Sequence, residues 1–498
     1  MELILSGLTQ VFNSPLSFIL LFGGVFIGVV FGAVPGLTAT LAIALFLPLT
    51  FRLDLFPSFV LLLSLYIGGI SGGLIAAILI KIPGTPASIA TTFDGGPMAN
   101  RGEAWRALSV CIFYSFLGTM FGIFILIFLT PILGRFALKL GMFEYFSISI
   151  FSLTLVSALC GQSLIKGLIS CFFGLFLACV GAAPIDGFPR YTFGFYGLSA
   201  GFDQVPACVG LFALAEILGV KREKKENLKI AEVKRTGFGL TLKEFITQFP
   251  NYIRSSSIGT FIGILPGLGG SICNVMAYGI TKKTSKYPEK FGTGIIDGLI
   301  ASESSNNACI GGTMVPLLTL GIPGDTVTAV LLGAFIMNGL SPGPMFYNEN
   351  INFIYVIFAI LIVASLTTFV MQYFGIKGFA MLMKVPKNIL LPMVMVLCII
   401  GAFCLNNRIF DIWTFFGWGV LGFIFTRLDI PLTPVIMGFI LGPICEVYLR
   451  RGLMLSKGSF VAFFTNRISG AFLVLAIIVI LATFISEMKK LIRKTKTE

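Results

Sequence analysis

The chain has 498 residues, 56% of them hydrophobic and only 11% charged, with a mean hydropathy of +0.97. A soluble domain carries roughly 25% charged residues to face water, so the apolar excess must face lipid, and a water-soluble architecture is excluded. The net charge of +13 is concentrated, with nine Lys/Arg in 221–254 and five in 489–498. Neither run belongs to a recognisable nucleic-acid-binding fold. Both read as cytoplasmic flanks under the positive-inside tendency, and no nucleic acid is expected as a partner.

Residue types narrow the chemistry. There is no His, which removes His-based zinc sites, Ser-His-Asp triads and imidazole proton relays. The ten Cys form no CxxC pair, and Cys111, Cys171, Cys179, Cys398 and Cys404 sit in apolar runs as buried thiols. MELILSGLTQVFNSP lacks a basic n-region, so no cleaved signal peptide is expected. No G-x-x-x-x-G-K-[ST] occurs, so no P-loop drives this chain.

A membrane helix needs about 20 apolar residues. In chain order, the candidates are 17–34, 56–80, 107–133, 146–160, 164–183, 352–374, 389–405, 412–426 and 461–486. Shorter or interrupted segments fall at 35–50, 204–220, 256–281, 309–322 and 324–340. The sum is ~12 crossings plus one or two segments that do not fully cross. The polar stretch 221–250 divides the chain into a first membrane half, 1–220, and a second, 251–488, followed by a basic tail, 489–498. Linker and tail are both expected on the cytoplasmic side.

The halves repeat one another. Gly28, Gly32, Pro35, Gly36 and Leu37 align without a gap to Gly259, Gly263, Pro266, Gly267 and Leu268. Further on, Gly72 with Ile82-Pro83-Gly84-Thr85 has the spacing of Gly312 with Ile322-Pro323-Gly324-Asp325. Glycines four apart allow close helix packing. Pro then removes a backbone donor and Gly admits positive φ, so each helix breaks. The expected fold is an all-α polytopic membrane protein built of two inverted-topology repeats with Pro-Gly-broken helices or re-entrant hairpins. A kinked helix that crosses without forming a site remains the alternative at each break.

Broken backbone at membrane depth is tolerated only where protein or a wet cavity satisfies it. Paired breaks in two repeats point to a transporter's binding site. Thr38 and Thr40 follow the first break, and Gly269, Gly270, Ser271 and Asn274 follow its counterpart. Thr85 and Ser88 follow Gly84, and Asp325, Thr326 and Thr328 follow Gly324. Free N–H groups at half-helix starts favour an anion. Substrate contacts are therefore expected at Pro35, Gly36, Leu37, Thr38, Thr40, Gly84, Thr85, Pro266, Gly267, Gly269, Gly270, Ser271, Asn274, Gly324 and Thr326. The polar run 302–307 reads either as a surface loop or as functional intramembrane groups. Its Glu303, Asn306 and Asn307, with Asp325, are the candidate ion ligands, because amide and hydroxyl oxygens suit Na⁺.

These residues resemble the tripartite tricarboxylate transporter family, in its large membrane subunit (the TctA type). The resemblance runs through GVVFGAVPGLTATLAIALFLPLTF, IPGTPASIATTFDGGPMANRGEAWRAL, GTFIGILPGLGG, NNACIGGTMVPLLTLGIPGDTVTAVLLGAF and NGLSPGPMF. It departs at SESSNNA, 302–308, where the family often reads PEAANNA, so Glu303, Asn306 and Asn307 carry over with more polar flanks. The resemblance implies an inner-membrane permease that imports carboxylates, citrate among them. It also implies two partners, a small membrane subunit (TctB type) and an extracytoplasmic solute-binding protein (TctC type). The driving force would be a cation gradient, Na⁺ or H⁺, with no other cofactor. A stand-alone organic-anion symporter and a passive channel are the alternatives within transport. An intramembrane aspartyl protease is the alternative outside it, but Pro323 breaks the G-x-G-D spacing at Gly321–Asp325.

Overall fold

A computed structural model describes residues 2–159, 163–219, 231, 233, 237–382 and 387–495. All of the 221–230 basic run and residues 496–498 of the tail lie outside the described residues. The helices in the first half are α1 (Glu2–Asn13), α2 (Pro15–Ala33), α3 (Ala39–Phe46), α4 (Leu55–Leu79), α5 (Ile89–Asn100) and α6 (Ala104–Ala137). Then come α7 (Met142–Leu159), α8 (Leu164–Ala178), α9 (Gln204–Val209) and α10 (Ala215–Gly219). The second half holds α11 (Leu242–Ile264), α12 (Gly269–Thr284), α13 (Ile296–Leu320), α14 (Thr326–Met337), α15 (Pro344–Glu349) and α16 (Ile351–Leu382). It ends with α17 (Lys387–Asn406), α18 (Ile409–Arg427), α19 (Leu432–Leu455), α20 (Val461–Thr465) and α21 (Arg467–Thr495). A two-residue antiparallel ladder, Gly181–Ala182 with Pro189–Arg190, interrupts this helical order.

The chain forms two compact units. One comprises Met1–Gly134, Val220–Leu265 and Gly269–Leu405; the other comprises Arg135–Gly219, Pro266–Leu268 and Asn406–Glu498. Each therefore draws on both sequence halves.

In the first unit the repeat is visible as repeated packing. A methyl group at Gly28 would meet the carbonyl of Leu65, and one at Gly32 would meet that of Gly69. Their counterparts do the same one repeat on, Gly259 against Ser305 and Gly263 against Cys309. Gly72 faces the Val29 carbonyl as Gly312 faces that of Thr260. Gly84 lies against Gly73 and the Gly32 carbonyl, and Gly324 lies against Thr313 and the Gly263 carbonyl. Helices α2 and α4 thus pack backbone to backbone on the same residues that α11 and α13 use. Small residues at these points permit the approach, and a side chain at any of them would drive the helices apart.

Among the described residues, eight helices are long and apolar enough to cross a membrane: α2, α4, α6, α7, α16, α18, α19 and α21. This is fewer than the ~12 that the apolar runs suggest. Two of the missing helices are long but polar. Helix α13 has 25 residues and α11 has 23, yet SESSNN in one and KEFITQFPNYIRSSS in the other dilute their apolar character. Others, such as α3, α8 and α14, are simply short. Helix α19 was not foreseen, since Pro434, Gly438, Gly442 and Pro443 break up its apolar pattern. The tail is also more regular than expected, with α21 continuing to Thr495.

The second unit packs by the same small-residue rule. Gly174 of α8 meets the Val435 carbonyl of α19, and Gly438 returns the contact on Cys171. Ser147 of α7 and Ser469 of α21 pair at 2.5 Å. Arg190 grips Glu446 with two bonds of 2.8 and 3.0 Å.

Candidate functional site

Four helix interruptions mark the two copies of the repeat, and the sequence dictates each. Val34 and Leu265 precede prolines and are extended, as the ring of a following proline requires. Gly36 and Gly267 take the positive φ that ends each turn, 91° and 81°. Thr38 then caps α3 by accepting from the Leu41 N–H at 3.1 Å. Gly321 closes α13 at a φ of 71°, and its counterpart Lys81 is held at 59°, a region that costs a side-chain-bearing residue.

The second pair of interruptions ends in matched caps. The Thr85 N–H donates to Ser88 Oγ at 3.3 Å, and Ser88 donates back to the Thr85 carbonyl at 2.9 Å. In the other half the Asp325 N–H donates to Thr328 Oγ1 at 2.9 Å, while Asp325 Oδ1 accepts from the Thr328 N–H at 2.7 Å. The halves also exchange contacts. The hydroxyls of Thr40 on α3 and Thr326 on α14 are 3.1 Å apart. Reciprocally, Asn274 of α12 donates to the Ala87 carbonyl at 2.5 Å and accepts from the Ala90 N–H at 3.4 Å.

Helix α13 passes through the middle of this arrangement. The run 302–307 is not a loop but a fully buried helical segment. Its hydroxyls survive there by bonding back along the helix: Ser302 to the Leu299 carbonyl, Ser304 to Ile300 and Ser305 to Ser302. Gly118 of α6 abuts Ser304, and Gly270 of α12 abuts Asn306. The carboxylate of Glu303 accepts from Thr91 at 2.5 Å, Ser115 at 2.9 Å and Asn307 at 3.3 Å. Asp325 Oδ2 accepts from Tyr66 at 3.2 Å. Among the described residues, no Lys or Arg forms an ion pair with Glu303 or Asp325.

Among the described residues, two buried acids without a basic partner sit beside polar atoms that have no partner. Both side-chain polar atoms of Asn306, Oδ1 of Asn307 and Oγ1 of Thr85 are buried and make no hydrogen bond. Such groups are rare in native interiors and call for a ligand or water. A cavity of about 10 Å³, large enough for one water, adjoins Glu303 through Ser115; Ser71, Thr119, Ser365, Thr368 and Gln372 complete its polar lining. No cluster of three or more His, Cys, Asp or Glu exists among the described residues, so a transition-metal site has no ligand set here.

The first unit therefore holds Pro35, Gly36, Leu37, Thr38, Thr40, Gly84, Thr85, Gly269, Gly270, Ser271, Asn274, Glu303, Asn306, Asn307, Gly324, Asp325 and Thr326. Pro266 and Gly267 group with the second unit, where a side chain at Gly267 would collide with Val156. Sequence reasoning missed Tyr66, Thr91, Ser115 and Asp94. Asp94 Oδ1 accepts from the N–H groups of Gly292, Gly294 and Ile295 at 2.9, 2.7 and 3.1 Å, and its Oδ2 accepts from Tyr278 at 2.9 Å. That grip fixes the turn that launches α13. The only sequence signal for it was a lone acid in TTFDGG.

A bundle of membrane-length helices built around a duplicated pair of broken helices and buried, unpaired polar groups is the architecture of a membrane transport protein. Residues 18–437 match the family described as "Tripartite tricarboxylate transporter TctA family", and the chain belongs to that family. It is thus a transport protein and not an enzyme, and a multi-pass protein of the bacterial inner membrane. Two relatives come from Agrobacterium vitis. An "uncharacterized 52.8 kDa protein in TAR-I ttuC' 3'region" is 34% identical over 461 residues, 92% of this chain and 91% of its own length. An "uncharacterized protein in TAR-II ttuC' 3'region" is 32% identical over 231 residues, 46% of this chain and 96% of its own length. No solved structure matches. Members of the family function with TctB and TctC partners.

Proposed function

We propose that this chain is the large permease subunit of a binding-protein-dependent secondary transporter that imports a carboxylate, citrate or a related tri- or dicarboxylate, with a cation gradient. Its working partners are a small membrane subunit and an extracytoplasmic binding protein, as in its family. The coupling ion is Na⁺, with H⁺ the alternative. The two halves, 1–220 and 251–488, are inverted copies, and linker and C-terminus lie in the cytoplasm, in keeping with their basic character.

The observation that carries this reading is the set of unpartnered buried atoms on Asn306, Asn307 and Thr85, next to an acid with no basic partner. Amide and hydroxyl oxygens are the donors that hard monovalent cations take. The ion ligands are drawn from Glu303, Asn306, Asn307 and Asp325 and from the open hydroxyl of Thr85. The half-helix starts at Thr38, Thr85, Gly269–Ser271 and Asp325–Thr326 turn backbone donors toward a carboxylate. The matched breaks and the exchange of contacts between α3 and α14 fit two elements that rearrange about a fixed site.

The test is uptake of labelled citrate and other carboxylates into vesicles that contain the permease, the small subunit and the binding protein. Saturable uptake that collapses with the Na⁺ gradient is expected, and Asn306→Ala and Asn307→Ala should each abolish it. Uptake that ignores both substitutions sinks the site assignment, and non-saturable flux sinks the carrier reading in favour of a channel.

A further inference from the structure

At the offset that aligns Gly84 with Gly324, Tyr66 corresponds to Asn306, Gly73 to Thr313 and Thr85 to Asp325. The two triplets occupy matching points of the repeat but carry opposite hydrogen-bonding states. In one, the Tyr66 hydroxyl from α4 stands 2.8 Å from Thr313 Oγ1 and donates to Asp325 Oδ2 at 3.2 Å. Asp325 Oδ1 is taken by Thr328, and Thr313 is also bonded to the Ile310 carbonyl at 3.0 Å. That set is closed by the protein's own groups.

In the other triplet nothing closes the set. Asn306 replaces the long phenol with a short amide, and Gly73 supplies no side chain where Thr313 has a hydroxyl. Thr85 Oγ1 and both Asn306 polar atoms are left without partners, as is Asn307 Oδ1 beside them. Asn306 is 1% exposed and Thr85 is 4% exposed, so solvent does not satisfy them. The neighbours place the 85–88 cap next to Asn306. Gly270 lies against both Asn306 Oδ1 and Ala87, and Gly73 lies against both Thr85 Oγ1 and Ser88.

We propose that each chain binds one Na⁺ at the open triplet, on Asn306, Asn307 and Thr85, and that the Tyr66 hydroxyl fills the matching position of the other half and keeps a second cation out. This rests on reading the breaks as the transport site. The ligands are amide and hydroxyl oxygens, which suit Na⁺. Glu303, one helical turn before the two amides, supplies charge without ligating, because its oxygens are occupied by Thr91, Ser115 and Asn307. Asn306 Nδ2 then remains to donate to the substrate carboxylate, so one amide touches both cargoes. Asp325 is a latch rather than a ligand.

The experiment is ²²Na⁺ binding to the purified full-length chain, with thermal unfolding followed in parallel. Wild type should bind one Na⁺ per chain. Tyr66→Asn installs the open triplet's residue in the closed one, beside the Asp325 carboxylate, and should raise the count to two. Asn306→Ala should weaken the wild-type site at least tenfold. If Tyr66→Asn fails to fold, Tyr66→Ser removes the ring and must give the same rise. A wild type that binds no Na⁺ overturns the transport-site reading itself. A wild type that binds one, unchanged in the folded Tyr66 variants, overturns only the role of Tyr66. A wild type that binds two also overturns that role.

Discussion

Arg254 of α11 donates from Nη1 to the hydroxyl of Thr284, the last residue of α12, at 2.6 Å, and from Nη2 to Thr281 at 3.0 Å. The chain from Arg254 to Thr284 thus leaves one level and returns to it, with the Pro266-Gly267 turn between. If α11 and α12 form a hairpin that enters the membrane and comes back, single cysteines at 254 and 283 must react with an impermeant reagent from the same face. Labelling from opposite faces would make the segment a kinked crossing.

The glycine contacts predict where a methyl group is intolerable. Gly259→Ala and Gly28→Ala place Cβ on a neighbouring carbonyl, of Ser305 and Leu65 respectively. Overpacking of this kind costs about 1–3 kcal/mol. Gly279, within α12, has nothing within 4 Å of an added Cβ. Melting temperatures in detergent should fall for the first two variants and stay level or rise for Gly279→Ala, since Ala is the better helix former. Equal effects at all three would deny that close backbone approach holds these helices together.

The sequence made the breaks readable and the polar core only partly so. Proline and glycine act on the chain locally, so Pro35-Gly36 and Gly321–Gly324 mark their turns in any context. The run at 302–307 was ambiguous because its helicity depends on hydroxyls that bond back to Leu299, Ile300 and Ser302, a choice settled by burial. Tyr66 and Asp94 carry no local signal. Tyr66 lies in a largely apolar stretch and Asp94 is a lone acid among threonines and glycines, and each acquires its role from partners more than 180 residues away. The helix count differs for the same reason: only eight helices meet a length-and-hydropathy rule, and the helices bearing the polar groups are those it discards.

Glu303 separates packing from function. Removing its carboxylate in Glu303→Ala orphans the hydroxyls of Thr91 and Ser115 and the amide of Asn307. Each buried donor left without a partner costs about 1–3 kcal/mol, so the variant should unfold readily or fail to accumulate. Glu303→Gln keeps the shape and an acceptor but loses the charge. It should fold, with a melting temperature within a few degrees of wild type, and lose cation-driven uptake. Wild-type uptake by Glu303→Gln would show that the charge is not used.

The pH dependence expected at the start of α11 has a definite sign. Glu244 accepts from the Thr241 N–H at 2.9 Å, and that bond, with the Thr241 hydroxyl and Arg106, holds its carboxyl below the ordinary carboxylate range. A depressed folded value means that the ionised form is the one the fold prefers. Its contribution is therefore complete above the ordinary carboxylate range and is lost as pH falls through the lowered value. Glu244 is part-exposed, so solvent screening limits the effect to no more than about 1 kcal/mol. Glu244→Gln should melt slightly below wild type at neutral pH, and the gap should close as the medium is acidified beneath the carboxylate range. Thr241→Ala removes the reciprocal cap on the Glu244 N–H and should cost about 1 kcal/mol. A gap between wild type and Glu244→Gln that widens on acidification would reverse the sign and rule out the capping interaction as its source.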